Sequence, residues 1–324
     1  MRGTGEPADV LLLEDIDEPV AGPGELLVDV ETAGLSFADL LLIRGEYQMQ
    51  LPLPCVPGSE LVGRVRVAGP GTSTPEGTRI IGLGRPPDGA YAEQAVVIEN
   101  QSEPIPEAIA APPAVALIGN YVTAHLALHR RAQLRAGEVV VVHGGAGGVG
   151  SAAIQVAKAA GATVIAADLG ADRAALCGRV GADLTVDTEA MSLTDAVLEH
   201  TAGRGADVVV DPVGGELFEQ ARRCIAFEGR LIVVGFTSGT IPHLRMNQLI
   251  LRSFTVMGVN ALIVLEQYPE IHGEARRAVV ELLAAQVIEP MVGMNAPFDG
   301  LLDACAELAA GRVQGKASIT VNDA

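Results

Sequence analysis

The residues best placed to do chemistry lie in Val139-Val-Val-Val-His-Gly-Gly-Ala-Gly-Gly-Val-Gly150, which contains the spacing Gly145-x-Gly147-x-x-Gly150. A β-branched run precedes the glycines, and a helix-forming run, Val149 to Ala160, follows them. In that setting Gly145 permits a tight turn, Gly147 lets the backbone approach a ligand, and Gly150 lets helix and strand pack closely. The helix N-terminus, with Gly148 and Val149 in its first turn, supplies orphan N–H groups and the positive end of the helix dipole, which suit a diphosphate. Asp168 follows Gly150 by 18 residues, at the end of the next apolar run, where a carboxylate accepts hydrogen bonds from a ribose. Strand, glycines, helix and acid together point to a dinucleotide. The Asp168 carboxylate favours the free ribose hydroxyls of NADH; Arg173 offers a charge for the extra phosphate of NADPH, the alternative.

The elements that must hold this turn show as apolar runs alternating with helix-like stretches. The strand candidates are Val139 to His143, Thr163 to Asp168, Leu184 to Asp187, Asp207 to Asp211, Arg230 to Gly235 and Phe254 to Val259. Their starts are 24, 21, 23, 23 and 24 residues apart, the length of a strand plus its crossover helix. Six such strands fill a doubly wound parallel sheet. Upstream, Leu26 to Val30, Val62 to Ala68, Arg79 to Leu83 and Ala95 to Ile98 read as short strands among Gly and Pro. Downstream come a helical run from about Ala261 to Ala285, another from Asp299 to Ala310, and a final strand, Lys316 to Val321. A closing strand so far from the parallel sheet implies a return to the first domain. The expected class is therefore α/β, with a mostly-β domain from residues 1–120 and 261–324 and a dinucleotide-binding domain over 121–260.

Composition bounds the function. A chain of 324 residues, at roughly 150 per domain, makes about two domains. Lys plus Arg total 22 against 40 Asp plus Glu, a net charge of −18 that repels nucleic acid and anionic membrane surfaces. Cys55, Cys177, Cys224 and Cys305 lie too far apart for a zinc knuckle or a redox pair and read as reduced thiols. The N-terminal residues lack a signal-peptide core, so the expected compartment is cytoplasmic. The uncharged stretch Val139 to Ala157 has the length of a membrane span, but its five glycines suit a strand, turn and helix start.

Further motifs are Gly34-Leu-Ser-Phe-Ala-Asp39, Pro57-Gly-Ser-Glu-Leu-Val-Gly63, Gly89-Ala-Tyr-Ala-Glu93, Gly229-Arg-Leu-Ile-Val-Val-Gly235 and Gly315-Lys316. With these and the glycine turn, nearly the whole chain resembles the zinc-independent quinone oxidoreductase (zeta-crystallin-like) family of the medium-chain dehydrogenase/reductase superfamily. The resemblance implies a GroES-like catalytic domain beside a Rossmann domain, NAD(P)H as cofactor, and hydride transfer to a quinone or α,β-unsaturated carbonyl. An enoyl-thioester reductase is the alternative reaction. A non-catalytic NAD(P)H- or RNA-binding crystallin-like protein is the alternative of another class. Zinc members of the superfamily hold their catalytic metal with Cys, His and Cys; the matching positions here are Ser36, Ser59 and Asn120, poor zinc ligands. Only Arg85-Pro-Pro-Asp88 separates Gly84 from Gly89, leaving no room for a four-cysteine lobe, so no metal is expected.

By the same resemblance, Tyr47 matches a tyrosine proton donor of related enoyl-thioester reductases, although a ring packed on the cleft rim fits equally. Ser36 replaces an asparagine usual in quinone reductases and is the second catalytic candidate. Thr123, Val213, Gly235, Phe236, Asn260 and Lys316 match residues lining the nicotinamide or phosphate end in relatives, with Val213 and Phe236 equally suited to core packing. The six histidines form no metal spacing and read as satisfied structural side chains. The segment before Val10 is short, so the first strand is expected to be abbreviated. Relatives pair edge strands into dimers, and Phe254 to Val259 fits that use. The expected partners are a small-molecule substrate and a second copy of the chain, with neither nucleic acid nor membrane.

Overall fold

Apolar residues with strand propensity and close-fitting glycines build two sheets, each in its own unit. The computed structural model describes residues 1–322. One unit comprises Met1–Gly119, Pro269–Ala284 and the chain from Val292 onward; the other comprises Asn120–Tyr268 and Ala285–Met291.

The first unit holds β1 (Glu25–Leu35), β2 (Glu60–Ala68), β3 (Arg79–Gly84), β4 (Gln94–Pro104), β11 (Val292–Pro297) and β12 (Lys316–Thr320), in sheet order β11-β12-β1-β2-β3-β4. An additional antiparallel pairing of β1 with β4, from Glu25 opposite Ile98 to Asp29 opposite Gln94, curls the sheet on itself. Leu26, Val28, Leu61, Ile80, Val97 and Ile319 fill the enclosed core. As the sequence implied, β12 returns to β1, antiparallel, with Thr32 opposite Thr320 and Leu35 opposite Ala317. β11 was not foreseen. Its Gly and Pro disguise it, and Pro297 is tolerated because the strand lies at the edge.

The second unit holds β5 (Val139–His143), β6 (Thr163–Asp168), β7 (Leu184–Asp187), β8 (Ala206–Asp211), β9 (Ile225–Val233) and β10 (Thr255–Gly258), all parallel, in order β10-β9-β8-β5-β6-β7. This is the doubly wound sheet with its reversal between β5 and β8.

Three readings need correction. The segments 261–268 and 285–291 belong with the parallel sheet rather than with the first domain, because the Gln155 side chain bonds both the N–H and the carbonyl of Glu289 at 2.7 Å, and Arg130 lies over the Tyr268 ring. The single helical run from Ala261 is two helices, Ala261–Gln267 and Pro269–Ala284, because the residue before a proline leaves the helical region, here Tyr268 with ψ 65°. No strand precedes Glu25: Pro7–Val10 is a one-turn helix, and Leu12, Leu13, Ile16 and Val20 beyond it are exposed.

Candidate active site

β5 and β8 are neighbours whose connections leave the sheet in opposite directions, so their C-terminal ends open the crevice where this topology takes a ligand. The glycine turn leaves β5 at that place. Gly144 carries the positive φ of 59°, so the tight turn belongs to it and not to Gly145. Gly145 is required for space instead, since a Cβ there would lie 2.7 Å from Cys177 Sγ. At Gly150 the fit is closer still, 2.0 Å from the Gly144 carbonyl oxygen, which is the close helix–strand approach expected of it. Gly147 differs: an added Cβ would meet only that oxygen, at 3.2 Å. It is the N-cap of the helix Gly148–Ala159, and no side chain caps that first turn. An open backbone face at an uncapped helix start fits a diphosphate. Asn120 lies over the start of the same helix, its Nδ2 2.6 Å from where a Gly148 Cβ would be, and Val149 is half-buried beside it.

Asp168 ends β6 as expected, but its oxygens are already engaged. Oδ2 accepts the Ala146 N–H at 2.8 Å, while Oδ1 accepts the Leu169 N–H at 2.8 Å and pairs with Arg173 Nε at 2.7 Å. The acid therefore ties down the glycine turn, and Arg173 offsets its charge. In register beside it, β7 ends in Asp187, whose carboxylate accepts the Gly170 and Glu189 N–H groups. Thr123 is half-buried on the helical turn Val122–His125, packed against the helix Gly148–Ala159. Val213 and Gly235 are half-buried in the loops after β8 and β9, whereas Phe236 is exposed and so is not a core residue. Asn260 caps a helix, its Oδ1 accepting the N–H groups of Leu262 and Ile263.

In the other unit, Ser36 is the N-cap of the helix Phe37–Arg44 and closes a capping box with Asp39. Its Oγ and its backbone N–H both donate to Asp39 Oδ2, at 2.6 and 2.8 Å, and Ser59 Oγ donates to Oδ1 at 2.7 Å. Ser36 and Ser59 are thus joined through a carboxylate that sequence reasoning gave no role, although the Ser-x-x-Asp spacing signals its capping half. The single hydroxyl proton of Ser36 is committed to Asp39. Tyr47 is half-buried; burial first and the Asp39 charge second hold its phenol above its usual pKa of 10. Lys316, read as a cofactor-side cation, instead gives its ammonium to Glu60, with the two side chains only 2% and 5% exposed. Burial raises the Glu60 pKa, opposed by that ammonium. No local signal marks this pair, whose members lie 256 residues apart.

Comparison with known proteins agrees with this layout. Residues 22–107 match the alcohol dehydrogenase GroES-like domain, and residues 148–275 match the zinc-binding dehydrogenase family. The chain is 38% identical to the quinone oxidoreductase-like protein 2 of Mus musculus over 251 residues, 77% of this chain and 71% of that protein. It is 33% identical to the Bos taurus protein of the same name over 313 residues, 96% of this chain and 89% of the other. The chain belongs to the quinone oxidoreductase family of the medium-chain dehydrogenase/reductase superfamily. The structure of the Escherichia coli quinone oxidoreductase, complexed with NADPH, matches with a TM-score of 0.88 and 26% identity, over 99% of this chain and 98% of that one.

Within this family the present chain is a reductase of the quinone oxidoreductase type, with the GroES-like and Rossmann domains expected from its motifs. The zinc named in one family description does not fit its donor set. Ser36 and Ser59 are hydroxyls already bound to Asp39, and neutral hydroxyls are poor substitutes for thiolate and imidazole. Among the described residues, no helix is long and apolar enough to cross a membrane.

Proposed function

We propose that the protein is an NAD(P)H-dependent, zinc-independent reductase of quinones or α,β-unsaturated carbonyls. The observation that carries this reading is the engagement of Ser36 and Ser59 by Asp39, which takes up the hydroxyls at two of the positions that match the zinc ligands of metal-dependent members. A conjugated electrophile needs no Lewis-acid metal, because conjugation spreads the incoming charge onto an oxygen. Gly147, Gly148, Val149 and the helix they open would hold the diphosphate. Bound there, the coenzyme supplies the hydride.

The remaining work falls to side chains. Tyr47 is the proton donor; a phenol is protonated at neutral pH already, and burial and then Asp39 raise its pKa further. Ser36 holds the carboxylate that does so. Thr123, Val213, Gly235 and Phe236 border the coenzyme from the turns that present them. NADH is the favoured coenzyme, because Asp187 adds a second carboxylate beside Asp168 and the Arg173 charge is offset by its ion pair. The chain acts as a homodimer paired through the edge of its parallel sheet.

The test is a panel of quinones, enones and enoyl thioesters with NADH and NADPH, followed by loss of reduced-coenzyme absorbance. Turnover of quinones or enones that resists a zinc chelator is the expected result. Turnover of enoyl thioesters alone selects the thioester-reductase reading. No coenzyme oxidation with any of them, or activity abolished by the chelator, overturns the proposal.

A further inference from the structure

Beneath the crevice lies a buried pair that the reading above leaves unused. His143 ends β5 and Asp211 ends β8, with exposures of 0% and 1%. His143 Nδ1 lies 3.0 Å from Asp211 Oδ1, which also accepts the N–H groups of Val213 and Gly214, each at 2.9 Å. The Asp211 carbonyl takes the Val234 N–H at 2.9 Å. Among the described residues His143 Nε2 and Asp211 Oδ2 are buried with no hydrogen-bond partner, so the histidine expected to be fully satisfied is satisfied at one ring nitrogen. Burying a polar atom without a partner costs desolvation free energy. The engaged atoms are His143 Nδ1 and Asp211 Oδ1.

Those atoms join two loops. Gly144, the pivot of the glycine turn, follows His143 directly and packs so closely that a Cβ would lie 3.0 Å from Val213 Cγ2. Val213 and Gly214 begin the loop after β8, and their N–H groups are pinned by the same oxygen that holds His143. One carboxylate oxygen thereby fixes both loops that flank the reversal of the sheet. Asp211 is held below the usual carboxylate range by the His143 and backbone hydrogen bonds, which outweigh burial. It is the anionic hub that three N–H donors require.

We propose that His143 and Asp211 are a positioning pair that sets the spacing of the glycine turn and the Val213–Gly214 loop, and through it the affinity for the dinucleotide. The proposal rests on the coenzyme reading above. Its test compares His143→Leu, which keeps the bulk and loses the N–H donor, with His143→Asn, which keeps a donor near the Nδ1 position. Reduced-coenzyme dissociation constants are measured by fluorescence titration well below the melting temperature, with melting curves alongside.

The leucine variant is expected to bind about tenfold more weakly, and the asparagine variant within about threefold of the wild type, in line with loss and retention of one charge-assisted bond. A purely structural role would lower the melting temperatures and leave the dissociation constants of the folded proteins equal, which overturns the proposal. Equal losses in both variants overturn it as well. Should the leucine variant not fold, Asp211→Asn replaces it. A neutral acceptor holds the three donors less strongly, so binding several-fold weaker than wild type is expected, and unchanged binding is the refuting result. Wild-type protein that binds neither NADH nor NADPH refutes the coenzyme reading itself, and this inference with it.

Discussion

At the scale of single residues, Tyr47 and Asp168 carry the sharpest expectations. Tyr47→Phe removes only the phenolic proton, so turnover should fall about a hundredfold, the lower range for a positioned general acid. Steady-state rates equal to wild type would return Tyr47 to a packing role. Because its pKa lies above 10, the wild-type rate should show no Tyr47 limb between pH 6 and 9. Asp168→Asn keeps an acceptor for the Ala146 N–H and removes the charge proposed to select against the extra phosphate of NADPH. The ratio of NADPH to NADH affinity should then rise about tenfold, or ~1.4 kcal/mol, as read by titration with both coenzymes. An unchanged ratio would move coenzyme choice to other groups. The place of Asp168 was legible from its distance to the glycines. Its ion pair with Arg173 was not, because an arginine in a first helical turn reads equally as solvated surface.

Whole elements answer to two further changes. Gly150→Ala drives a methyl to within 2.0 Å of the Gly144 carbonyl oxygen and should force the helix Gly148–Ala159 away from β5, at a cost of several degrees in melting temperature. In Gly147→Ala the methyl meets only the Gly144 carbonyl oxygen, at 3.2 Å, a contact relieved by a shift of a few tenths of an ångström, so it should melt closer to wild type than Gly150→Ala yet bind coenzyme more weakly, because the methyl occupies the open face. Equal binding in calorimetry would show that no ligand approaches there.

In the other unit, Arg276 docks the helix Pro269–Ala284 on β4 through the carbonyls of Asn100 and Ser102, and its Nη1 donates to His272 Nδ1 at 3.1 Å. A guanidinium only donates, so this imidazole is neutral. Burial first and the Arg276 charge second lower its pKa from 6.5 to about 4. The unfolded chain therefore takes up the proton before the folded one does. The stability this group contributes is present above about pH 6.5 and is lost as pH falls toward 4. His272→Gln should flatten that limb by on the order of 2 kcal/mol, and an unaltered pH–melting profile would remove His272 as its cause.

For the molecule as a whole, β10 occupies the sheet edge, as its sequence position implied, and the nearby helix Asn247–Arg252 buries none of its residues. Ile250 and Leu251 are each 79% exposed, an apolar cost in water that a second copy would relieve. Sedimentation should report a dimer, and Ile250→Glu should shift it toward monomer. A wild-type monomer at micromolar concentration would refute the pairing.

Short windows of sequence determined the strands of the parallel sheet and the glycine turn, because apolar periodicity and steric room for glycine are properties of neighbouring residues. The boundaries of β5, β6 and β7 were legible to the residue for that reason. Tertiary structure alone decided which groups meet: Ser59 with Asp39, Lys316 with Glu60, His143 with Asp211. Each pair spans from 20 to 256 residues of chain, and the charge it settles depends on how folding removes water from both members at once.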